Sequence, residues 1–460
     1  MISNRRTAIT FGIWTLIFSS ISGAFAQDLV LQGGMRFNSD RREFVKNVSL
    51  CIGDGTIASL DDSATQASAS RVIQFEDDDY ILPGFVDCHA HYNVRLVKRR
   101  REEFEVMPIV YLANGVTTTF SCGEFDPDQM RALRLAIDAG EHPGPHLINS
   151  GPYFGRARPG WQTDKPSDEI REEVRYWAKQ GAGGFKAKAI SPAALEVLID
   201  EAHQRGLTVT GHLGSGYRRS VNPRDAIDMG IDRIEHFIGG DLMPADRSAY
   251  DSLAAITRDQ AGYLRAVEQF VENRTVFDAT LTAYGYFGPL KEGYDYWIDE
   301  RQFFTSHVQK MVLEKGPPEV IEQFEKIYHA KLATVGTFFR KGGTLSLGTD
   351  HVSDGRYLPG FSAHRELDAF VRAGIPNVDA LLIATLNGAA ALGLEATRGS
   401  ISTGKNADLM VIKGDPIQDI RRTRTVHTVI KKGQVFDTST LLDSVRGKLG
   451  PADASENERW

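Results

Sequence analysis

The feature that most limits what this chain can fold into is an alternation. From about Ile81 to Leu394, short β-branched runs take turns with amphipathic segments. Candidate strands lie at 81–88, 116–122, 146–151, 184–189, 207–213, 231–237, 276–281 and 344–350. Between them come stretches such as "SPAALEVLIDEAHQRG", with apolar residues at helical spacing and a closing glycine. Eight strands with intervening helices predict an α/β fold, a (β/α)8 barrel. A doubly wound open sheet is the alternative, but no strand-Gly-x-Gly-x-x-Gly-helix signature supports a dinucleotide site.

The flanks have a different texture. "DLVLQGGMRF", "VKNVSLCIGDGTIASL" and "RVIQF" read as short strands with turns, and "ADLMVIKGDP" and "TVHTVIKKGQVF" repeat the pattern near the far end. Residues 27–80 and 395–440 are therefore expected to build one small β-sandwich from both chain ends, around a barrel over 81–394. The aromatic and charged segment 284–341 interrupts the alternation and is expected as a helical insertion over the barrel mouth. Residues 441–460 read as a polar, loose tail.

Residues 1–26 have the form of a secretory leader, with Arg5 and Arg6, an apolar stretch from Ala8 to Phe18, and Ala24-Phe25-Ala26 before the cleavage point. The apolar stretch is too short for a comfortable membrane span. A mature chain starting at Gln27, exported to the periplasm or secreted, is expected, and its formal charge moves from -7 to -9. Acidic and basic residues are interspersed, which excludes a nucleic-acid footprint. The three cysteines, Cys51, Cys88 and Cys122, make no disulfide framework.

Catalytic groups on a barrel sit where strands end and loops open. The first candidate strand ends Asp87-Cys88-His89-Ala90-His91, the fifth "VTGHL" with His212, the sixth "RIEHF" with His236, and the eighth "LGTD" with Asp350; the fourth carries Lys186 and Lys188. Four histidines and an aspartate thus collect at one rim from distant parts of the sequence. Residues two apart on a strand point the same way, so His89 and His91 can grip one ion from one side. Neutral imidazole with a carboxylate oxygen suits a divalent metal, zinc first.

"LPGFVDCHAH", "GAGGFKAKA", "VTGHL", "IEHF", "LGTD" and "GSISTGKNADLMVIKGDP" together resemble the metal-dependent amidohydrolase superfamily, in its exported prolidase, Xaa-Arg dipeptidase and imidazolonepropionase-like branch. The resemblance runs from about Asp28 to Phe436. It implies that His89 and His91 bind a first metal, His212 and His236 a second, that carboxylated Lys186 bridges them, and that Asp350 binds the first metal and shuttles protons. Lys188 shares the strand face of Lys186 and could replace it, and a single ion without a bridge is the other form that the resemblance allows.

The expected function is hydrolysis of an amide or peptide-like C–N bond, in a dipeptide, N-acyl amino acid or cyclic amide, by metal-activated hydroxide. Lactone, ester or phosphoester hydrolysis on the same site is the alternative, and a non-catalytic metal-dependent binding protein is the other class. Tyr217, in "HLGSGYRR", is either an electrophile toward the substrate carbonyl or an exposed loop aromatic. His351 and His364 either touch substrate or, in "SAHRELDAF", pack a helix. The expected partner is a small-molecule substrate, with no nucleic acid and no stable membrane insertion after leader removal; a homo-oligomer stays open.

Overall fold

The apolar run from Asp79 to Ala90 is not one strand. In the computed structural model, which describes residues 29–61, 70–97, 100–286, 300–315 and 320–460, it breaks at Gly84. Asp79–Pro83 pairs antiparallel with Leu409–Lys413, and Phe85–Ala90 opens the barrel. A side chain at Gly84 would collide with Thr117 of the next barrel strand. Glycine therefore lets the chain pass from one layer to the other at close quarters. The N-terminal share of the sandwich runs to Pro83 rather than ending at residue 80.

The barrel strands are Phe85–Ala90, Val116–Ser121, His146–Asn149, Gly184–Lys188, Thr208–His212, Arg233–Glu235, Val276–Asp278 and Leu345–Ser346. The first three form one parallel sheet and the last five another, each in chain order. Backbone bonds span both seams. Gly183 N–H donates to Asn149 O at 2.9 Å, Cys88 N–H to Leu347 O at 2.8 Å, and Asp350 N–H to His89 O at 3.0 Å. Alternation then sorts the side chains: Phe185 and Ala187 join the hydrophobic core, while Lys186 and Lys188 share the opposite face of their strand.

Both chain ends build the sandwich, as their texture predicts. One sheet contains Thr56–Leu60, Leu50–Gly53, Leu29–Gln32 and Arg71–Gln74 in that spatial order. The other runs Gln434–Asp437, Val426–Lys431, Leu409–Lys413, Asp79–Pro83, Met35–Asn38 and Glu43–Lys46. Leu29, Leu31, Ile52, Ile81, Leu409 and Val411 form a core of their own, with inward residues from N- and C-terminal strands interdigitating.

Two expectations are corrected. The C-terminal tail is not loose: Thr438–Val445 is a helix, Leu449 is buried, its N–H donates to Phe303 O at 2.9 Å, and the Arg101 guanidinium lies 4.4 Å from the Trp460 ring centroid. The segment 284–341 is largely helical over its described residues, but its last helix belongs to the barrel itself rather than to an insertion. Its helix Glu322–Arg340 leads directly into the eighth strand, buries Ile327, Val335 and Phe338 in the barrel core, and follows a shorter helix, Ser306–Glu314. The leader lies outside the described residues. No helix among the described residues is long and apolar enough to cross a membrane. The three cysteines are unpaired and buried.

Candidate active site

Strand ends from opposite sides of the barrel meet at one carboxylate. Asp350 Oδ1 lies 2.8 Å from His91 Nε2 and 3.3 Å from His89 Nε2, and its Oδ2 lies 3.5 Å from His236 Nε2. On its far side, His89 Nδ1 lies 3.6 Å from Asp278 Oδ2 and 3.7 Å from Glu235 Oε2. The His212 and His236 rings stand 4.4 Å apart, edge to face. Burial alone would push the Asp350 carboxyl up, but His89, His91 and His236 hold it well below the usual carboxylate range. The four histidines and Asp350 singled out in the sequence therefore come together.

The backbone is strained where it places them. His236 has φ 63°, Asp350 φ 43° and Thr280 φ 48°, all in the left-handed region just past barrel strands. Each costs on the order of 1–3 kcal/mol in a non-glycine residue, a strain that clusters at functional sites. At His236 the effect is visible. Glu235 and His236 are consecutive and would face opposite ways in a regular strand; with His236 turned out of the strand, both enter the site. Thr280 Oγ1 lies 2.6 Å from His236 Nδ1, which directs Nε2 toward Asp350. From the helix Glu322–Arg340, buried Lys331 donates to His236 O at 2.6 Å and Ala279 O at 2.8 Å, tying down the ends of two strands.

Glu235 belongs to the same cluster. It is wholly buried, takes a hydrogen bond from Thr210 Oγ1 at 2.7 Å and one from Cys122 Sγ at 3.1 Å, and pairs with the Lys186 ammonium. Burial opposes its charge, yet His89 and Lys186 hold its carboxyl well below the ordinary range. Cys122 also lies 3.3 Å from Lys186 Nζ. The strand-end rule applied to the second strand would have found it, since Cys122 directly follows Val116–Ser121. Cys88, by contrast, packs away from the histidines, with Sγ 3.5 Å from Gly388 O.

Lys186 and Lys188 differ in depth. Lys186 is buried against Glu235 and Cys122, whereas Lys188 opens into a cavity of ≈ 200 Å³ that His212, Asp350 and His351 also line. Tyr250, Tyr284, Tyr286 and Phe324 form an aromatic wall on the same cavity. Tyr217 is not part of it: it sits half-buried on the short turn Tyr217–Arg219, with Arg218 over its ring at 5.1 Å. His364 is buried against Phe85 and lies 3.1 Å from Thr423 Oγ1, so it packs a helix rather than meeting a ligand.

At this site, among the described residues, three donor sets have ligand atoms within 4.8 Å of one another: His89, Cys122 and Glu235; His89, His236 and Asp350; His212, Glu235 and His236. Buried polar atoms ordinarily find partners. Here His89 Nδ1, His236 Nε2 and both Asp278 oxygens have no hydrogen-bond partner among the described residues. Imidazole nitrogens and carboxylates left facing one another are what a borderline divalent cation takes up, so these residues fit a metal.

Residues 80–241 and 328–436 match the amidohydrolase family. The chain belongs to that family. Among curated relatives it is 23% identical to an adenine deaminase of Paracoccus denitrificans, over 92% of this chain and 60% of the relative. It is 21% identical to an N-acetylglucosamine-6-phosphate deacetylase of Bacillus subtilis, over 81% and 90%. The chain thus spans about 60% of the length of the adenine deaminases it matches. Among solved structures it is similar to an Xaa-Pro dipeptidase with bound methionine in the active site, with TM-score 0.65 and 22% identity over 89% of this chain and 100% of the other. A. niger ochratoxinase gives TM-score 0.63 and 18% identity over 90% and 96%. The amidohydrolase match omits residues 242–327, the stretch that carries Tyr250, Tyr284, Tyr286 and Phe324.

Proposed function

We propose that this amidohydrolase cleaves an amide or peptide-like C–N bond of a small substrate, using divalent metal. The observation that carries the reading is Asp350. It touches three histidines while its side chain remains 24% exposed at the cavity, whereas His89, His91 and His236 are almost fully enclosed. A group placed between donor cluster and substrate space is suited to take a proton from an attacking water and return it to the leaving nitrogen.

His89, His91 and Asp350 would hold one ion, and His212 and His236 a second, with zinc the best match to this donor set. A bound divalent ion supplies Lewis-acid polarisation of the scissile carbonyl and lowers the pKa of a coordinated water. Lys186, as its carbamate, would be the bridge, since a lysine ammonium cannot ligate. Lys186 supports this by its depth, lying below the histidines rather than in the cavity with Lys188.

Elemental analysis of wild type beside Lys186→Ala and Asp350→Asn tests the reading. Two metal equivalents in wild type, falling toward one or none in Lys186→Ala, are expected. Asp350→Asn is expected to lower kcat by about 10²–10⁴-fold. One equivalent that survives Lys186→Ala would remove the bridge, and no metal even after reconstitution would sink the hydrolase reading. The leader-like N-terminus further supports an exported enzyme acting on scavenged substrates. N-terminal sequencing of the mature chain is expected to begin at Gln27; an intact Met1 terminus on the purified native protein would remove that part.

A further inference from the structure

Two cations face the cavity with no ion-pair partner in contact among the described residues, the carboxylates of Asp350 and Glu102 acting on them only from further off. Among the described residues, Lys188 Nζ has neither hydrogen bond nor ion pair, and it lies 5.9 Å from the centroid of the Tyr153 ring. Arg100 uses Nε on Asn93 Oδ1 at 2.6 Å, while its Nη2 is buried with no partner. Both side chains line the cavity. Asp354 and Arg356 line it too, and the Arg356 charge favours the ionised Asp354 carboxyl against its burial. Asp350 is already engaged by the histidines.

Position matters as much as charge. Lys188 pairs in register with His212 across neighbouring parallel strands. On a sheet, residues paired this way project side by side. Lys188 therefore stands one side chain away from the donor cluster. Removing a cation from water without a partner is costly, and a second cation converging on the same space adds repulsion. Such a pair becomes favourable when a ligand supplies the anion, and a guanidinium donor suits a carboxylate. On the same cavity, Tyr250, Tyr284 and Phe324 pack with ring centroids 5.6–6.5 Å apart and present an aromatic face.

We infer that Lys188 and Arg100 clamp a free carboxylate of the substrate, which makes the preferred substrates N-acyl amino acids or dipeptides with an apolar side chain lying on the Tyr250, Tyr284 and Phe324 wall. The inference rests on the proposed hydrolase activity and adds the substrate class. Lys188 here is a binding residue and takes no proton from the reacting atoms. Cyclic amides and neutral esters, which carry no free carboxylate, are predicted to be poor substrates.

The test uses the metal-reconstituted full-length mature chain and a panel of N-acetyl amino acids and dipeptides, each paired with its C-terminal carboxamide. Wild type, Lys188→Met and Lys188→Arg are compared for KM and kcat. For wild type, acids are expected to show KM values about 10–100-fold below their amides, from charge-assisted hydrogen bonds. Lys188→Met should erase that difference mainly through KM, with Lys188→Arg retaining part of it. Equal KM for acid and amide in wild type, or full discrimination surviving in Lys188→Met, would overturn the clamp. Absence of turnover for every member would count against the hydrolase reading alone. Calorimetric binding of the same acids and amides then decides the clamp, and it is lost if no acid binds wild type more tightly than its amide.

Discussion

His236 shows how much of this site depends on one residue's surroundings. Its ring is aimed from one side by Thr280 Oγ1 and its backbone carbonyl is held by Lys331, whose ammonium also holds Ala279 O. Lys331 reaches these carbonyls across the faces of Phe277 and Tyr284, 5.5 and 5.0 Å from the ring centroids. Burial lowers the Lys331 pKa to about 7, which marks how much solvation the ammonium gives up there. Lys331→Met would leave two buried carbonyls without their donor beside a residue at φ 63°. A loss of about 2–4 kcal/mol in unfolding free energy is expected from urea denaturation. A residue that orients a ligand should also change metal affinity, here by about 10–100-fold in competition with a chelator. Loss of stability with unchanged metal affinity would leave Lys331 a purely structural anchor. Nothing local in "YHAKLATVG" announces this lysine, because its partners are backbone carbonyls far away in sequence. The same holds for Glu235: the left-handed turn at His236 that brings both into the site is a property of the closed barrel.

At the scale of strands and helices, legibility followed periodicity. The eight barrel strands were readable because short runs of strand-forming residues alternate with longer stretches of helical periodicity. His89, His91, His212, His236 and Asp350 were readable because strand ends are where loops open. The reading failed where one apolar run serves two layers. Asp79–Pro83 and Phe85–Ala90 have similar composition, and only packing against Thr117 and pairing with Leu409–Lys413 divides them at Gly84. It failed again at the tail, where a polar composition hid the few residues, such as Leu449, that dock it. For Tyr217 the sequence left two readings open, an electrophile toward the substrate carbonyl or a loop aromatic. Nearness in sequence to His212 suggested nearness in space, but the turn Tyr217–Arg219 leaves the cavity to Tyr250 and Tyr284, which arrive from elements later in the chain.

Across the whole molecule, the barrel and sandwich are held in register by the central strand Asp79–Pro83, which continues through Gly84 into the first barrel strand. Asp79 sits at the head of that strand, 3% exposed. It accepts the Glu76 N–H at 2.8 Å and faces Lys413 Nζ at 3.0 Å and His427 Nε2 at 2.9 Å, both from the C-terminal share of the sandwich. Burial works to raise its carboxyl pKa, but the Glu76 N–H, Lys413 and His427 outweigh it and hold the group below its usual value. A carboxylate whose folded pKa is depressed stabilises the fold fully above its unfolded pKa of ~3.9, and that contribution fades as pH falls through the folded value. Asp79→Asn is therefore expected to lower unfolding free energy by about 1–3 kcal/mol at pH 7. The gap from wild type should narrow as urea titrations move below pH ~4, because the wild-type carboxyl is then losing its charge as well. A constant gap down to the depressed folded pKa would mean that Asp79 contributes through shape rather than charge. The joint between the two chain ends would then rest on the apolar core around Ile81, Leu409 and Val411.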